Sequence, residues 1–425
     1  MDKDEEVHVR NWSGTYEYRA QSVEAPTTVE EVQALVARSP RIRALGTRHS
    51  FNDLADTDGV LVTTTEIAPE FAIDEERRVV TIGAGTRYAA VATWLTEQGW
   101  ALHNMGSLPH ISVGGAISTG THGSGDLNGN LSSAVRGLQL VGPDGDLRWV
   151  RHGDPDFAGS VVALGLLGVL VRLELAIEPT YLVRQDVYKG LPWATLLADV
   201  PAVTSAGYSV SVFTDWVTDP IGQVWVKRRL ATADEPVPDE LAGAQRDPGN
   251  ASQILESEDD NTTQQGVAGA WSAHLPHFRI ESTPSNGDEI QTEYFVAHAD
   301  AAAALAAVRE LGPDIAPHLL ITELRTIAAD DLWMSTAYGR DSLAIHFTFK
   351  NDTAAVEALC PRIEAALEPF APRPHWGKVN TVAPEVLASR YPRFADFADL
   401  VRRVDPDGKF VGRSTAGLLA AAVSA

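Results

Sequence analysis

Apolar residues recur along the first hundred positions with two different spacings. In residues 28–38 they recur at the spacing of one face of a helix. Shorter apolar runs elsewhere are typical of strands, and Gly46 ends the first of them. The elements predicted in this way are a helix over 28–38, strands over 41–45, 60–64 and 78–82, and a helix over 87–98. The alternation of strands and helices indicates an α/β or α+β domain.

The pattern changes near residue 180. Before that point the predicted elements are strands over 135–141 and 147–151, the hairpin turn Gly142-Pro143-Asp144-Gly145 and a buried apolar run over 161–177. After it they are strands over 209–216, 223–229, 319–327 and 342–350, a strand and an Ala-rich helix within 294–311, and a helix over 353–367. The second region therefore indicates a sheet with helices on one side. Residues 231–265 are acidic and contain Pro, Gly and Asn, so we expect an exposed excursion there.

Residues 106–130 are rich in Gly, Ser, Thr and Asn and are long for a connection inside a domain. Apolar residues threaded through the stretch favour an ordered loop. Small residues let the backbone approach a flat or phosphorylated ligand, and successive amides can form an anion-binding nest. The stretch has no P-loop motif, and Gly83-Ala84-Gly85 lacks the third glycine of the dinucleotide-binding fingerprint. A ligand-binding loop and a purely structural Ω-loop are both consistent with these residues.

Charge narrows the range of partners. The chain of 425 residues has 34 Lys and Arg against 57 Asp and Glu, a net charge of −23. This excess repels nucleic-acid backbones and anionic membrane surfaces. The single cysteine, Cys360, excludes an intrachain disulfide framework and a Cys-rich metal site. The N-terminus resembles no secretory signal, and the apolar run 161–171 is too short to span a bilayer. We therefore expect a soluble cytoplasmic protein.

A candidate ligand contact lies where the first strand ends. Gly46 is followed by Thr47, Arg48, His49 and Ser50. Glycine after a strand lets backbone amides approach an anion, and a histidine there can touch what binds. A surface histidine that caps a turn is an equally good interpretation.

Two predicted strands carry polar residues on alternate positions. Glu323 and Arg325 share a face of residues 319–327, and His346 and Thr348 share the polar face of residues 342–350. If the two faces coincide, a carboxylate, a guanidinium, an imidazole and a hydroxyl meet on one sheet. That set suits a polyhydroxylated ligand, because each hydroxyl needs donors and acceptors. The alternative is a solvated sheet face with a cross-strand salt bridge.

Two further segments contain histidines. Lys378 ends the sequence His375-Trp376-Gly377-Lys378, where it either points into a pocket or lies on the surface beside Trp376. His274 and His277 flank Pro276, which breaks helical facing, and no third metal ligand is evident, so we interpret both as structural. No metal site is expected.

Taken together and in this order, four motifs resemble the vanillyl-alcohol-oxidase type of FAD-linked oxidases, and within it the subgroup that oxidises alditols. They are Gly-Thr-Arg-His-Ser-Phe at 46–51, Ser-Leu-Pro-His-Ile-Ser at 107–112, Thr-Gly-Thr-His-Gly-Ser-Gly at 119–125 and His-Trp-Gly-Lys at 375–378. The resemblance runs from Asn11 to Phe410. One departure is Gly412, where relatives often carry Asn, which concerns C-terminal packing rather than chemistry.

The resemblance implies an α+β, two-domain FAD-binding oxidase fold. Residues 1–184 and the returning segment 373–425 would form the FAD-binding domain, and residues 185–372 would form an inserted substrate domain built on an antiparallel sheet flanked by helices. It implies that FAD is attached covalently through His49. The residues implied to line FAD are Ala44, Leu45, Gly46, Thr47, Arg48, His49, Ser50, Ser107, Ser112, Gly115, Thr119, Gly120, Thr121, His122, Leu170 and Lys378.

The resemblance also implies the reaction. A monomeric enzyme would oxidise the terminal primary hydroxyl of a polyol to an aldehyde, with hydride transfer to flavin N5 and O2 reduced to H2O2. The implied catalytic and substrate residues are Ser107, Glu323, Arg325, His346, Thr348 and Lys378. We expect His346 to take the hydroxyl proton, because the ordinary histidine pKa lies near working pH. The alternatives are a sugar-lactone oxidase of the same superfamily and a sugar-binding protein with a degenerate flavin site.

Overall fold

A computed structural model describes residues 9–233, 235–248, 266–281 and 287–422. The first part of the chain contains a parallel three-stranded sheet, a two-stranded pair and an antiparallel five-stranded sheet. In spatial order their strands are Ser22–Glu24, Val60–Val62 and Ile42–Ala44; Glu178–Pro179 and Trp100–Ala101; and Phe71–Asp74, Val79–Gly83, Val169–Ala176, Val135–Val141 and Leu147–Arg151. The α-helices of this part are Val29–Arg38, Tyr88–Glu97, Val113–Thr119 and Phe157–Val161, and Leu131–Ala134 is a 3-10 helix.

The second part is built on one antiparallel ten-stranded sheet. Its strands, in spatial order, are Glu240–Leu241, Ala244–Arg246, Leu182–Lys189, Gln223–Leu230, Ser209–Thr214, Leu319–Ile327, Ser342–Lys350, Glu289–Ala297 and Arg373–Pro374, and Ala268–Ala270 also pairs with Leu182–Lys189. The α-helices are Trp193–Ala198, Val200–Thr204, Trp271–His274, Ala301–Arg309, Gly312–Ile315 and Thr353–Leu367, with 3-10 helices at His298–Asp300, Ala316–His318 and Glu368–Phe370.

The large sheet buries one of its faces against helices. Leu343, Ile345, Phe347 and Phe349 alternate along their strand and pack in one core with residues of Ala301–Arg309 and Thr353–Leu367. Full burial of such a side chain stabilises the fold by about 1.5–3 kcal/mol. The opposite face of the same strands carries the polar residues. Core packing on one side therefore fixes which side chains point to the other.

The end of the chain returns to the first part. The C-terminal helices are Pro384–Arg390, Phe394–Val404 and Arg413–Ala421. Phe397 and Leu400 are buried in the same core as Val80 and Ile117 of the first part. Gly412 precedes the last helix, and a side chain there would overlap the carbonyl oxygen of Asp56. A close backbone contact therefore explains glycine at position 412, where relatives often carry Asn.

The structure confirms most of the predicted elements and corrects three. Residues 106–130 are not a loop throughout, since Val113–Thr119 is helical. Residues 231–265 contain the short strands Glu240–Leu241 and Ala244–Arg246, which extend the large sheet, while residues 234 and 249–265 lie outside the described part. The strand predicted from residue 294 begins at Glu289. Among the described helices, none is long and apolar enough to cross a membrane.

Candidate active site

A deep pocket lies where the glycine-rich segment of the first part faces the polar side of the large sheet. Its walls come from residues 43–51, 106–122, 164–170, the strands of the large sheet and 375–378. All the site residues predicted from the sequence line this pocket except Gly120. Gly120 ends the helix Val113–Thr119 in the left-handed conformation, with φ 69°. Gly120 therefore ends this helix but does not line the pocket.

The turn after the strand Ile42–Ala44 presents its backbone to the pocket. Arg48 has a positive φ of 65°. The imidazole of His49 stacks on Trp12, with ring centroids 5.0 Å apart, and its Nδ1 lies 3.0 Å from Thr47 Oγ1. Burial lowers the pKa of His49 to about 4, so its ring is neutral at neutral pH. Within the described residues, the amides of residues 46–50 donate to no protein acceptor.

Glycines allow the turn at residues 46–50 to pack closely against the helix Val113–Thr119 and the residue before it. A Cβ on Gly46 would lie 2.5 Å from Ser112 Oγ, and one on Gly115 would lie 3.1 Å from the same atom. The amide of Ser112 donates to Thr47 Oγ1 at 3.2 Å, which joins the two walls. Exposed amides and a backbone cleared of side chains suit a pyrophosphate and a flat ring. The residues present therefore fit the FAD that the resemblance implies.

The polar faces of the two predicted strands coincide. Glu323 pairs with His346 across the ladder, and Arg325 pairs with Ala344. His346 Nε2 lies 2.9 Å from Thr348 Oγ1. All four polar side chains are buried, with 5–7% of their surface exposed. The alternative of a solvated sheet face is therefore wrong.

Lys378 points into this group rather than to the surface. Its ammonium donates to Glu293 Oε2 at 2.7 Å and to His346 Nδ1 at 2.7 Å. The alternative, in which Lys378 lies on the surface beside Trp376, is wrong, because only 12% of its side chain is exposed. Burial lowers the pKa of Lys378, against the attraction of Glu293.

Glu293, which was not predicted from the sequence, lies at the centre of the cluster. Besides Lys378, it accepts a hydrogen bond from Arg325 Nη2 at 3.0 Å and lies 3.1 Å from His122 Nε2. Burial would raise the pKa of Glu293, but Lys378, His122 and Arg325 hold it well below its usual value. The signal that could have found it is the alternation along the strand. Because the strand begins at Glu289 rather than at residue 294, Glu293 and Gln291 lie on the same face.

His277, interpreted from the sequence as structural, also lines the pocket. Its Nε2 lies 2.7 Å from Glu323 Oε1. Burial would raise the pKa of Glu323, but Arg325 and His277 lower it below the usual value. His274 is buried outside the pocket lining. The described residues contain no group of side chains that could hold a metal ion.

The site contains two cations beside two carboxylates and neutral imidazoles. Arg325 Nη1 donates to Ser107 Oγ at 3.2 Å, which ties the loop residue to the sheet. Burial, followed by the charge of Lys378, lowers the pKa of His346 to about 4. The premise that this pKa lies near working pH is therefore wrong. His346 is neutral at pH 7 and accepts from Lys378 at Nδ1, so its own N–H is on Nε2.

Two family models match separate parts of the chain. Residues 20–151 match a family described as FAD binding domain, and residues 288–416 match D-arabinono-1,4-lactone oxidase. An alditol oxidase from a Streptomyces species is 44% identical over 97% of this chain and 99% of its own. L-gulono-1,4-lactone dehydrogenase of Mycobacterium tuberculosis is 28% identical over 96% and 98%. The structure of cholesterol oxidase from Brevibacterium sterolicum has the same fold, with a TM-score of 0.78 at 14% identity over 97% and 96%.

Proposed function

Because this chain belongs to the vanillyl-alcohol-oxidase type of FAD-linked oxidases and is an FAD-dependent oxidoreductase, we propose that it oxidises the terminal primary hydroxyl of alditols such as xylitol and sorbitol to the aldose. The observation that carries the proposal is the buried polar cluster on the large sheet. Glu323, Arg325 and Thr348 offer acceptors and donors in one pocket, and all three side chains are buried. Such a set matches adjacent hydroxyls, each of which both donates and accepts.

FAD would lie along residues 44–50, Ser107, Ser112, Gly115, Thr119, Thr121, His122 and Leu170, attached covalently through the ring of His49. Bound flavin supplies the hydride acceptor, and we propose O2 as the oxidant that regenerates it with release of H2O2. The neutral ring of His49 supports the covalent link, because an unprotonated nitrogen has the lone pair that bond formation needs.

Arg325 and Lys378 would bind the carbinol oxygen. A primary alcohol is a poor hydride donor unless the negative charge that develops on oxygen is stabilised, and two cations in a buried pocket provide this. Glu293 would hold both of them in place, since it contacts Lys378 Nζ at 2.7 Å and Arg325 Nη2 at 3.0 Å. The carboxylates of Glu293 and Glu323 together offset the charges of Arg325 and Lys378.

The hydroxyl proton would go to Nδ1 of His346. That atom now accepts from Lys378, and its lone pair becomes available when the ammonium turns to the carbinol oxygen. The low pKa makes His346 a weak base but keeps it unprotonated over the neutral range. A weak base suffices if the proton leaves as the carbonyl forms, because the hydroxyl becomes more acidic during hydride loss. Glu323, Thr348 and Ser107 would hold the remaining hydroxyls.

Anaerobic flavin reduction tests the proposal. Purified protein is mixed with glycerol, erythritol, xylitol, sorbitol and 1-pentanol, and the flavin absorbance is followed; H2O2 release is then measured in air. A site that binds hydroxyls rejects molecules that lack them, because its buried polar groups are left unpaired. We expect xylitol or sorbitol to exceed 1-pentanol in kcat/KM by on the order of 10⁴-fold. Comparable values for xylitol and 1-pentanol would overturn the proposal.

A second candidate is oxidation of a sugar lactone. The match of residues 288–416 to D-arabinono-1,4-lactone oxidase favours it, since these residues include the substrate strands. The same experiment with an aldonolactone separates the two functions. Faster flavin reduction by the lactone than by any polyol would establish the second candidate.

The division of the chain is also a proposal. Residues 1–184 and 373–425 would form the cofactor domain around the inserted substrate domain 185–372, and the shared core of Phe397 with Val80 supports this. We propose that the enzyme works as a monomer. The cytoplasmic location stays a prediction from the sequence.

A further inference from the structure

A buried lysine outside the pocket is connected to the substrate site through His277. Lys227 lies in the strand Gln223–Leu230, opposite Ser209 of the neighbouring strand. It is on the face of that strand that also carries Trp225, whose ring packs on His277 with centroids 5.0 Å apart. Only 1% of the Lys227 surface is exposed. A fully buried lysine needs partners for its ammonium, because an unpaired buried charge is costly.

Among the described residues, the hydrogen-bond partners of the Lys227 ammonium lie in the segment that carries His277. Its Nζ donates to the carbonyl oxygens of Leu275 at 2.5 Å and Pro276 at 3.0 Å. The third contact is Nδ1 of His277, at 3.0 Å. Burial lowers the pKa of Lys227 to about 7. In its protonated form the side chain has only donors, so Nδ1 then accepts.

That bond decides which nitrogen of His277 carries the proton. With Nδ1 accepting, the neutral ring has its hydrogen on Nε2, and Nε2 then donates to Glu323 Oε1 over 2.7 Å. The opposite tautomer would place a lone pair against a carboxylate. The same segment reaches Ser107, whose carbonyl oxygen accepts from the His277 amide at 3.0 Å. Holding this segment in place therefore also positions Glu323 and Ser107, two residues that we propose bind substrate hydroxyls.

We propose that Lys227 is a positioning residue for substrate binding, which sets the tautomer of His277 and through it the orientation of Glu323. The inference rests on the proposed function, since it assigns Glu323 to the hydroxyls of the substrate. Lys227 touches neither the substrate nor the reacting atoms. Its effect should therefore fall on substrate binding rather than on hydride transfer.

The test separates binding from chemistry by anaerobic stopped flow, with xylitol as the substrate. In Lys227→Met, which keeps the length of the side chain and removes its donors, we expect the substrate dissociation constant to rise about tenfold, the loss expected for one buried hydrogen bond. The limiting rate of flavin reduction should change less than about threefold. Lys350→Met removes an exposed lysine of the same sheet and is the matched control.

Two more variants test the route through His277. His277→Phe keeps a ring against Trp225 and removes both nitrogens, so we expect a similar tenfold rise. In the double variant, Lys227→Met should add less than about twofold to the effect of His277→Phe, because residues acting through one path are not additive. Full additivity in the double variant, or an unchanged dissociation constant in His277→Phe, would overturn the inference. If Lys227→Met fails to hold flavin, His277→Phe alone decides.

The proposed function can fail separately. Wild type that is not reduced by xylitol disproves the polyol assignment, and the variants are then compared with whichever hydroxylated donor reduces the wild-type flavin. Wild type that is reduced by xylitol, together with unchanged binding in the variants, leaves the function standing and disproves the role of Lys227.

Discussion

At the scale of single residues, the site depends on side chains whose neighbours change their chemistry. Glu293 shows this, since one carboxylate contacts Lys378, Arg325 and His122 within about 3 Å. Its charge keeps two cations close together that would otherwise repel each other. Substitutions in the cluster should therefore act on flavin reduction while the remaining partners keep the cluster assembled.

Replacing Lys378 tests the electrostatic role. Lys378→Ala should slow anaerobic flavin reduction by about 10²–10³-fold, the range for a lost electrostatic donor. Folding and flavin content should persist, because Arg325 and His122 still contact Glu293. Lys378→Arg should recover only part of the rate, because a planar guanidinium does not replace a compact ammonium. A rate for Lys378→Ala within about twofold of wild type contradicts this role.

Replacing His49 tests the proposed covalent link. After acid precipitation the flavin of the wild type should stay with the polypeptide, and absorbance of the pellet and supernatant measures this. His49→Ala should release its flavin or lack it. His110→Ala is a matched control, since His110 also borders this region and its Nε2 lies 3.0 Å from a backbone carbonyl, that of Ile280. Wild-type flavin found in the supernatant would show that His49 carries no covalent bond.

At the scale of elements, the glycine-rich segment, residues 106–130, is joined to the strand Leu319–Ile327 and the residue after it by main-chain hydrogen bonds. The amide of Gly125 donates to Thr326 O at 2.9 Å, and the amide of Ala328 donates to Asn128 O at 2.9 Å. Gly125 has φ 136°, and a side chain there would overlap the carbonyl oxygen of Tyr208. The contact between the two halves of the site thus requires glycine.

Gly125→Ala should therefore disturb both halves of the site. We expect a loss of about 1–3 kcal/mol from backbone strain together with overlap, and a lower flavin content. Thermal unfolding and the ratio of flavin to protein absorbance measure the two effects. Gly339→Ala is the control, because Gly339 also has a positive φ of 66° but no atom lies within 4 Å of its added Cβ. Equal losses in the two variants would mean that overlap with Tyr208 is unimportant.

Elements with strong local patterns could be predicted from the sequence. The strands at 319–327 and 342–350 and the helix at 353–367 begin and end at the predicted residues. The helix Val113–Thr119 was missed because its residues, Gly, Ser and Thr among them, have little helical preference. Tertiary bonds hold its start, such as the amide of Gly114 to Ala84 O at 2.8 Å. Such long-range contacts leave no periodic signal.

The candidate site was predicted in its parts but not in its assembly. The motifs and the strand patterns pointed to Lys378 and to the two polar pairs. The alternation along the strands, however, could not decide whether their polar face is buried or solvated. Burial of that face depends on the glycine-rich segment that lies opposite, more than 190 residues earlier in the chain. Glu293 and Lys227 were missed for the same reason, since their partners come from distant segments. Charge pairs between distant residues need the fold to be known.

At the scale of the whole molecule, several buried histidines make stability depend on pH. The pKa of His274, His277 and His346 is lowered to about 4, first of all by burial. In the unfolded chain each histidine regains a pKa near 6.5. Between these two values the unfolded state binds more protons, so stability is complete above about pH 6.5 and falls as the pH drops towards 4.

His274→Leu tests this dependence, because His274 is outside the pocket lining. We expect the drop in Tm between pH 7.5 and pH 5.5 to be smaller in the variant, since one histidine contributes up to about 1.4 kcal/mol per pH unit. Comparison with wild type matters, because acidification also relieves the repulsion of a chain with net charge −23. An identical pH dependence of the two Tm values would show that protonation of His274 does not lower the stability of the folded state.

The hydrogen bonds from Gly125 and Ala328 have a consequence for recombining this enzyme with its relatives. A chimera that exchanged only the large sheet would place residues 106–130 of one parent against the strand Leu319–Ile327 of the other. The backbone hydrogen bonds between them would then join segments from two different proteins. The side chain of Asn128 adds a bond to Tyr208 O at 2.9 Å, so the mismatch would extend to a third segment. Crossover points should therefore be chosen so that residues 106–130 and the large sheet come from the same parent, although residues 106–130 lie in the part that matches an FAD binding domain. Substrate preference and cofactor placement would then be inherited as one unit.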